Sequence, residues 1–308
     1  MQKEECRVNE VQKLIKNICI EQGIKFQIVS KDWVIIMQKD SKVRYISGYK
    51  FPLNNHAAGL ICDDKYALYD VLNNFNIDVC KYHILFKNYN VYEVIRYASK
   101  YDFDMVVKSN ISTCGNDMYH TFDKEALFIA INELLKTNYS ISVCPYYNIK
   151  NEYRTIILDN RPMIVYGKNK PIVIGDGKST IYQLLCVFNP HYFKNIIVNE
   201  KINQQLNKVL EKGKIYEYNW QFNLSKGAMP FVVNDNELKG NIEKIAINVA
   251  KILNVCFISV DVVRTFDDRL LVLEVNSGIA MDNLIHLYPN GYNIAKKIYT
   301  KAIIDMFE

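Results

Sequence analysis

Asp261, Glu274 and Asn276 carry the chemistry most readily legible in this chain. They lie in Cys256-Phe-Ile-Ser-Val-Asp-Val-Val-Arg-Thr-Phe-Asp-Asp-Arg-Leu-Leu-Val-Leu-Glu-Val-Asn276. Two alternating apolar runs flank Asp267-Asp268, the pattern of a β-hairpin with a short turn. A two-residue turn sets Asp261 directly opposite Glu274. Asn276 then follows two residues on, on the same face. Val260, Val262, Leu273 and Val275 are expected to point the other way, into a core. Like charges opposed across a ladder are destabilising. Two carboxylates with a carboxamide beside them therefore ask for a hard cation. Mg²⁺ fits best, because it takes oxygen ligands and is usually held by one or two carboxylates plus substrate phosphates. The competing reading is an exposed hairpin whose polar residues simply face water.

Three further segments could meet an anion. Lys108 ends an apolar strand and opens the small-residue loop Ser109-Asn-Ile-Ser-Thr-Cys-Gly-Asn-Asp117. There a lysine charge and backbone N–H groups can cradle one phosphate. The alternative is a solvated loop lysine. Arg154, in Glu152-Tyr-Arg, can fork onto phosphate or carboxylate. The alternative is a salt-bridged strand residue. Asn223-Leu-Ser-Lys-Gly227 could hold an anion through Lys226 and backbone amides, or be a plain connection. Gly175-Asp-Gly reads as a tight structural turn needing positive φ.

The elements that position these residues alternate between helical and strand periodicity. Helices are expected over 8–20, 63–75, 90–100, from Asp123 to Leu135, over 199–211 and 236–253, and over 291–306. Ser179 or Thr180 should cap another helix running to Phe188. Strands are expected at 26–29, 33–37, 43–46, 103–108, 140–146, 152–159, 162–167, 214–218 and 229–233, followed by the hairpin. Residues from 109 to about 122 read as loop. The mixture is α+β, with much of the sheet antiparallel.

Composition narrows the function classes. The 308 residues are 49% hydrophobic and 23% charged, which suits a globular protein of two or three subdomains. No apolar run approaches a membrane span, and the polar N-terminus is no signal peptide. Eight scattered cysteines without a Cys-x-x-Cys pair argue for reduced thiols and a cytoplasmic location. A net charge of +5, spread along the chain, suits a nucleotide better than nucleic acid.

Taken in order, these segments resemble the ATP-grasp superfamily of carboxylate–amine ligases. The nearest likeness is to the ligase domain of cyanophycin synthetases and of bifunctional glutathione synthetases. It rests on Asp64-Lys65, Val106-Val-Lys108, Glu152-Tyr-Arg154, Val173-Ile-Gly-Asp-Gly-Lys-Ser-Thr-Ile181 with Gln183-Leu-Leu, Asn223-Leu-Ser-Lys-Gly227, Ser259-Val-Asp-Val, Leu273-Glu-Val-Asn-Ser-Gly278 and Leu287-Tyr-Pro-Asn-Gly291. The resemblance implies an ATP-grasp fold. An N-terminal part over 1–88 would help shape the substrate site, 89–147 would form a lid, and 148–308 would carry the metal. It implies transfer of the ATP γ-phosphate to a carboxylate and displacement of phosphate by an amine. Asp261, Glu274 and Asn276 would hold Mg²⁺, with Mn²⁺ able to replace it. Lys65 and Lys108, with Ser112 and Gly115 of the loop, would contact phosphates, and Val143, Cys144 and Tyr146 would lie beside adenine. Arg154, with Arg264 as a second candidate, would stabilise the transferred group, and Asn223 and Gly227 would lie by the acyl phosphate. Small acids and amines are the implied partners, without nucleic acid or membrane, and self-association is open. Three other outcomes stay open: modification of a protein or ribosomal peptide, a nucleotide-binding module without turnover, and a structural scaffold. This chain departs from the relatives at Ser109, where they carry proline, at Asp117, and near Cys144-Pro145, where they carry a glutamate.

Overall fold

The computed structural model describes residues 10–30, 34–111, 118–188 and 204–308. Helix α1 (Glu10–Glu21) buries Val11, Leu14, Ile15, Ile18 and Cys19, the stripe its 3–4 spacing demands. Strands β1 (Lys25–Val29), β2 (Val34–Lys39) and β3 (Lys42–Ser47) follow as an antiparallel meander. The region expected as one helix from residue 63 is preceded by another, α2 (His56–Asp63), capped by the Asn55 side chain. Asp64 closes α2 and its carboxylate caps α3 (Lys65–Asn74), so Lys65 is the first residue of a helix.

Next come β4 (His83–Phe86), α4 (Val91–Ala98), β5 (Met105–Ser109), β6 (Met118–Thr121), α5 (Lys124–Thr137) and β7 (Ser140–Pro145). The four strands form an antiparallel sheet in the order β4-β7-β5-β6. Met105, Val107, Ile141 and Val143 pack with Leu127, Ile131 and Leu134 of α5 in one core cluster. Strand alternation therefore puts Val106, Lys108, Ser142 and Cys144 on the opposite face. Strands β4 and β6 were missed from sequence. Both are four residues long and too short for a periodicity to show, and 118–121 lies within the stretch expected as loop.

The chain continues through β8 (Ile149–Leu158), β9 (Arg161–Asn169), β10 (Ile172–Ile174), α6 (Ile181–Phe188), β11 (Ile215–Glu217) and β12 (Met229–Val232). It ends with α7 (Asn236–Leu253), β13 (Phe257–Thr265), β14 (Leu270–Asn276), α8 (Asp282–Leu287) and α9 (Gly291–Asp305). A five-stranded sheet runs β12-β9-β8-β13-β14. The helix expected over 199–211 lies partly outside the described residues. Within them it covers only Gln204–Leu206, and Val209 bridges to Thr180 instead.

By compactness the chain forms two units, one of residues 1–166 and 233–308, the other of 167–232. The second is organised around the Gly175-Asp-Gly turn. Gly177 has φ +78, and a Cβ on Gly175 would lie 2.1 Å from the Glu211 carbonyl oxygen, so neither position tolerates a side chain. Asp176 accepts from the backbone N–H of Lys178 and Ser179 and from the Ser179 hydroxyl. Those bonds pull its pKa down to about 2. Thr180 caps α6 in a reciprocal box: its Oγ1 accepts from Gln183 N–H, while Gln183 Oε1 accepts from Thr180 N–H. Among the described residues no helix is long and apolar enough to cross a membrane.

Candidate active site

The hairpin pairs Asp261 with Glu274 and Ser259 with Asn276, but by a different route from the one expected. The turn is one residue longer. Thr265 pairs with Arg269, with N–H to carbonyl 3.0 Å, and Asp268 takes φ +61 at the end of the loop. This is the three-residue loop closed by a left-handed residue. Carried along the strands, that register would set Leu273 against Asp261 and turn Glu274 to the other face. A β-bulge between Asp261 and Val262 takes up the extra residue: Val262 pairs with Val272, and Asp261 with Glu274. Leu273 is the residue left over. It is half-buried, whereas Val260, Val262, Val272 and Val275 are buried. The expected core position thus belongs to Val272.

On its other side β13 pairs with β8, and Asp261 stands opposite Arg154. Three strands therefore set Arg154, Asp261 and Glu274 in one row, with Asn276 in the row beside it. Arg154 forks onto Asp261, with Nε to Oδ1 at 2.7 Å and Nη2 to Oδ2 at 2.5 Å. Asp261 is 2% exposed and the Arg154 side chain 24%. Burial opposes the guanidinium charge, but Asp261 beside it more than compensates, and its pKa sits well above the ordinary value. The salt-bridged strand residue and the candidate ligand-binding residue are thus the same residue. Among the described residues the Glu274 and Asn276 side chains make no hydrogen bond or ion pair. Three oxygen-bearing side chains on one sheet face, two of them uncommitted, fit a hard cation. No cluster of three His, Cys, Asp or Glu residues occurs among the described residues, so the carboxamide of Asn276 is needed for the third donor.

Two lysines converge on this row. Lys65 is 4% exposed, and burial lowers its pKa to about 8, although Glu274 pulls it back up; Lys108 lowers it further. Lys108 is 5% exposed, which excludes the solvated loop lysine. Its Nζ donates to the Tyr82 hydroxyl at 2.9 Å and lies 4.7 Å from that ring's centre. Tyr82 in turn donates to the Leu273 carbonyl at 3.1 Å.

Asn110, fully buried, ties these parts together. Its backbone oxygen accepts from Lys65 Nζ at 3.3 Å, and its carboxamide oxygen accepts from Tyr66 N–H at 3.1 Å and from the Ser142 hydroxyl. Its Nδ2 has no hydrogen-bond partner among the described residues. Neither Tyr82 nor Asn110 was found from sequence. Tyr82 is one of 22 tyrosines and belongs to no motif, and Asn110 looked like one more small loop residue.

The remaining candidates separate. Cys144 shares the face of Lys108, and burial raises its thiol pKa. Val143 points into the helix-backed core instead, so its side chain is not available on that face. Tyr146 stacks on His120 with ring centres 3.9 Å apart, and its N–H donates to the Asp104 carbonyl. Arg264 lies three residues from Asp261, so alternation sends it to the other face. There its Nε pairs with Asp268 at 2.8 Å, and the structure does not bring it to the row. Ser112 and Gly115 lie outside the described residues. Asn223 and Gly227 belong to the second unit. Asn223 caps a 3-10 turn by accepting from Ser225, and Gly227 closes that turn at φ +97.

A family model described as a RimK-like ATP-grasp domain matches residues 191–302. No curated protein matches the sequence. Among solved structures, a bifunctional glutathione synthetase from Pasteurella multocida is similar with a TM-score of 0.59 and 15% identity, over 96% of this chain and 45% of that one. The chain thus spans less than half the length of that enzyme. A D-alanine–D-alanine ligase from Bacillus anthracis gives a TM-score of 0.56 at 17% identity, over 82% of this chain and 69% of that one. The same ligase complexed with ATP gives 0.53 at 18%, over 82% and 67%. The chain has the ATP-grasp fold, in the α+β form expected.

Proposed function

We propose that this chain is an ATP-dependent carboxylate–amine ligase working through an acyl phosphate. The observation that carries the reading is the Arg154–Asp261–Glu274 row with Asn276 beside it and the buried lysines Lys65 and Lys108 converging on it. Charge of both signs, concentrated and largely withdrawn from water, is what phosphoryl transfer needs, since its catalysis is mostly positioning and electrostatic stabilisation. The ATP bound to the similar Bacillus anthracis ligase points to the same nucleotide.

In this reading Asp261, Glu274 and Asn276 would hold Mg²⁺, or Mn²⁺ in its place, which when bound supplies charge neutralisation at the ATP phosphates. Lys65 and Lys108 add fixed positive charge to the same phosphates, together with Ser112 and Gly115. Cys144 and Tyr146, with the backbone of Val143, flank adenine. Arg154 offers phosphate the fork it now gives Asp261, and stabilises the transferred group. Asn223 and Gly227 are assigned to the acyl phosphate. A carboxylate oxygen attacks the γ-phosphorus, and the bond to the bridging oxygen of ADP breaks. An amine nitrogen then attacks the acyl carbon, phosphate leaves, and the nitrogen loses a proton. The N-terminal part over 1–88 shapes the site for a small acid or peptide, 89–147 serves as the lid, and 148–308 carries the metal.

A second reading, nucleotide binding without turnover, draws on the fork of Arg154 onto Asp261, which occupies both carboxylate oxygens. ADP release from Mg-ATP across a matrix of amino acids and dipeptides decides between the two. Release that requires one acid plus one amine, and is lost in Asp261→Asn/Glu274→Gln, supports the ligase. Absence of release, with nucleotide still bound, supports the second reading.

A further inference from the structure

We propose that Tyr82 is a positioning residue of this site: its single hydroxyl aims Lys108 and at the same time pins the bulge that keeps Glu274 and Asn276 in phase with Asp261. The inference rests on the nucleotide site proposed above and goes beyond it by naming what couples its two halves. A bulge leaves one residue of its strand out of the ladder, and its carbonyl then takes a donor from elsewhere. That residue is Leu273, and its carbonyl accepts the Tyr82 hydroxyl at 3.1 Å. Donating its only proton there, the phenol turns a lone pair to Lys108, whose Nζ donates to it at 2.9 Å. One of the three ammonium donors is thereby used, and the direction of the other two is set.

Tyr82 is 3% exposed and Lys108 5%, so the bond between them is withdrawn from water. Burial also holds its pKa well above the ordinary value, so the proton the relay needs stays on the ring. The order ammonium, phenol, carbonyl runs in one sense, each group donating to the next. Among the described residues no other side chain donates to the Leu273 carbonyl.

Tyr82→Phe removes the hydroxyl and keeps the ring. We expect binding of Mg-AMP-PNP, followed by calorimetry, to weaken about tenfold. Binding of Mn²⁺ in its presence, followed by paramagnetic resonance, should weaken in parallel. The two effects separate in a Lys108→Met background. There Tyr82→Phe no longer changes the affinity for AMP-PNP measured without metal, because Lys108 is gone, but still weakens Mn²⁺ binding through the bulge. A residue that merely supports the fold would lower the melting temperature without that split. Unchanged affinities in a folded Tyr82→Phe variant, or equal losses with and without Lys108, overturn the proposal.

If the wild-type protein binds no nucleotide, the ligase reading fails by itself. Amide exchange along Leu273–Asn276 without ligand then tests whether Tyr82 pins the bulge. Faster exchange in Tyr82→Phe upholds the pinned bulge, and equal exchange overturns it. Should that variant not fold, the wild-type hydroxyl proton of Tyr82 serves instead. Slow exchange with water supports the relay; fast exchange overturns it.

Discussion

Arg154 and Asp261 hold each other in a geometry that satisfies both charges, and this has a consequence for the metal. Removing one partner of a buried pair leaves the other uncompensated. Arg154→Met should therefore cost about 3 kcal/mol of stability without metal. It should tighten Mn²⁺ binding about tenfold, since the cation replaces the lost charge. Turnover should fall by at least about a hundredfold, as for the loss of a donor to a developing charge. Resonance titration and an ADP assay check the opposed directions. Lys65 gives a pH prediction. Its folded pKa of about 8 lies below the ordinary 10.5, so the folded chain binds fewer protons between those values. The burial cost is fully present below pH 8 and fades as pH rises towards 10.5, so this group makes stability rise with pH in that window. Phosphate needs the ammonium form, so nucleotide affinity should fall as pH passes about 8. In Lys65→Arg the inflection should vanish, because a guanidinium does not titrate there. An unmoved inflection would assign it to another group.

The hairpin shows how an element absorbs a local irregularity. A three-residue loop and a one-residue bulge offset each other, and the acids meet as though neither were present. In the second unit the Gly175-Asp-Gly turn and the Thr180–Gln183 box fix the start of α6. Thr180→Ala should cost about 1 kcal/mol and speed amide exchange in α6. Gly175→Ala should cost more, since a Cβ there meets the Glu211 carbonyl at 2.1 Å and backbone cannot move aside cheaply. Comparing the two variants by exchange within 167–232 tests that order. A milder Gly175→Ala would mean that the 210–214 segment yields.

At the scale of the whole molecule the net charge of +5 favours a polyanionic ligand. Mg-ATP at about a hundred times its dissociation constant should stabilise the fold by about 2.7 kcal/mol. That raises the melting temperature by roughly 5 °C for a chain of this size. Asp261→Asn/Glu274→Gln should abolish the part of the rise that needs Mg²⁺, and a scaffold protein would show no rise at all. The sequence by itself determined the features written in local periodicity and local chemistry. These were the amphipathic helices, most strands, the cap Asp123 and a cap at Ser179 or Thr180, whereas the opposition of the two carboxylates, expected from a two-residue turn, arises from a longer loop and a bulge. Each depends on residues a few positions apart, which is the range over which a pattern of 2.0 or 3.6 residues can speak. Only the tertiary structure decided what depends on distant strands meeting. It put Arg154 in the row of Asp261 and Arg264 behind it, and buried Lys65 beside Glu274 and Lys108 beside Tyr82. It ran a hydroxyl from Tyr82 to a bulge 191 positions away. Burial and cross-strand neighbours are properties of the assembled sheets, and no window of the chain contains them.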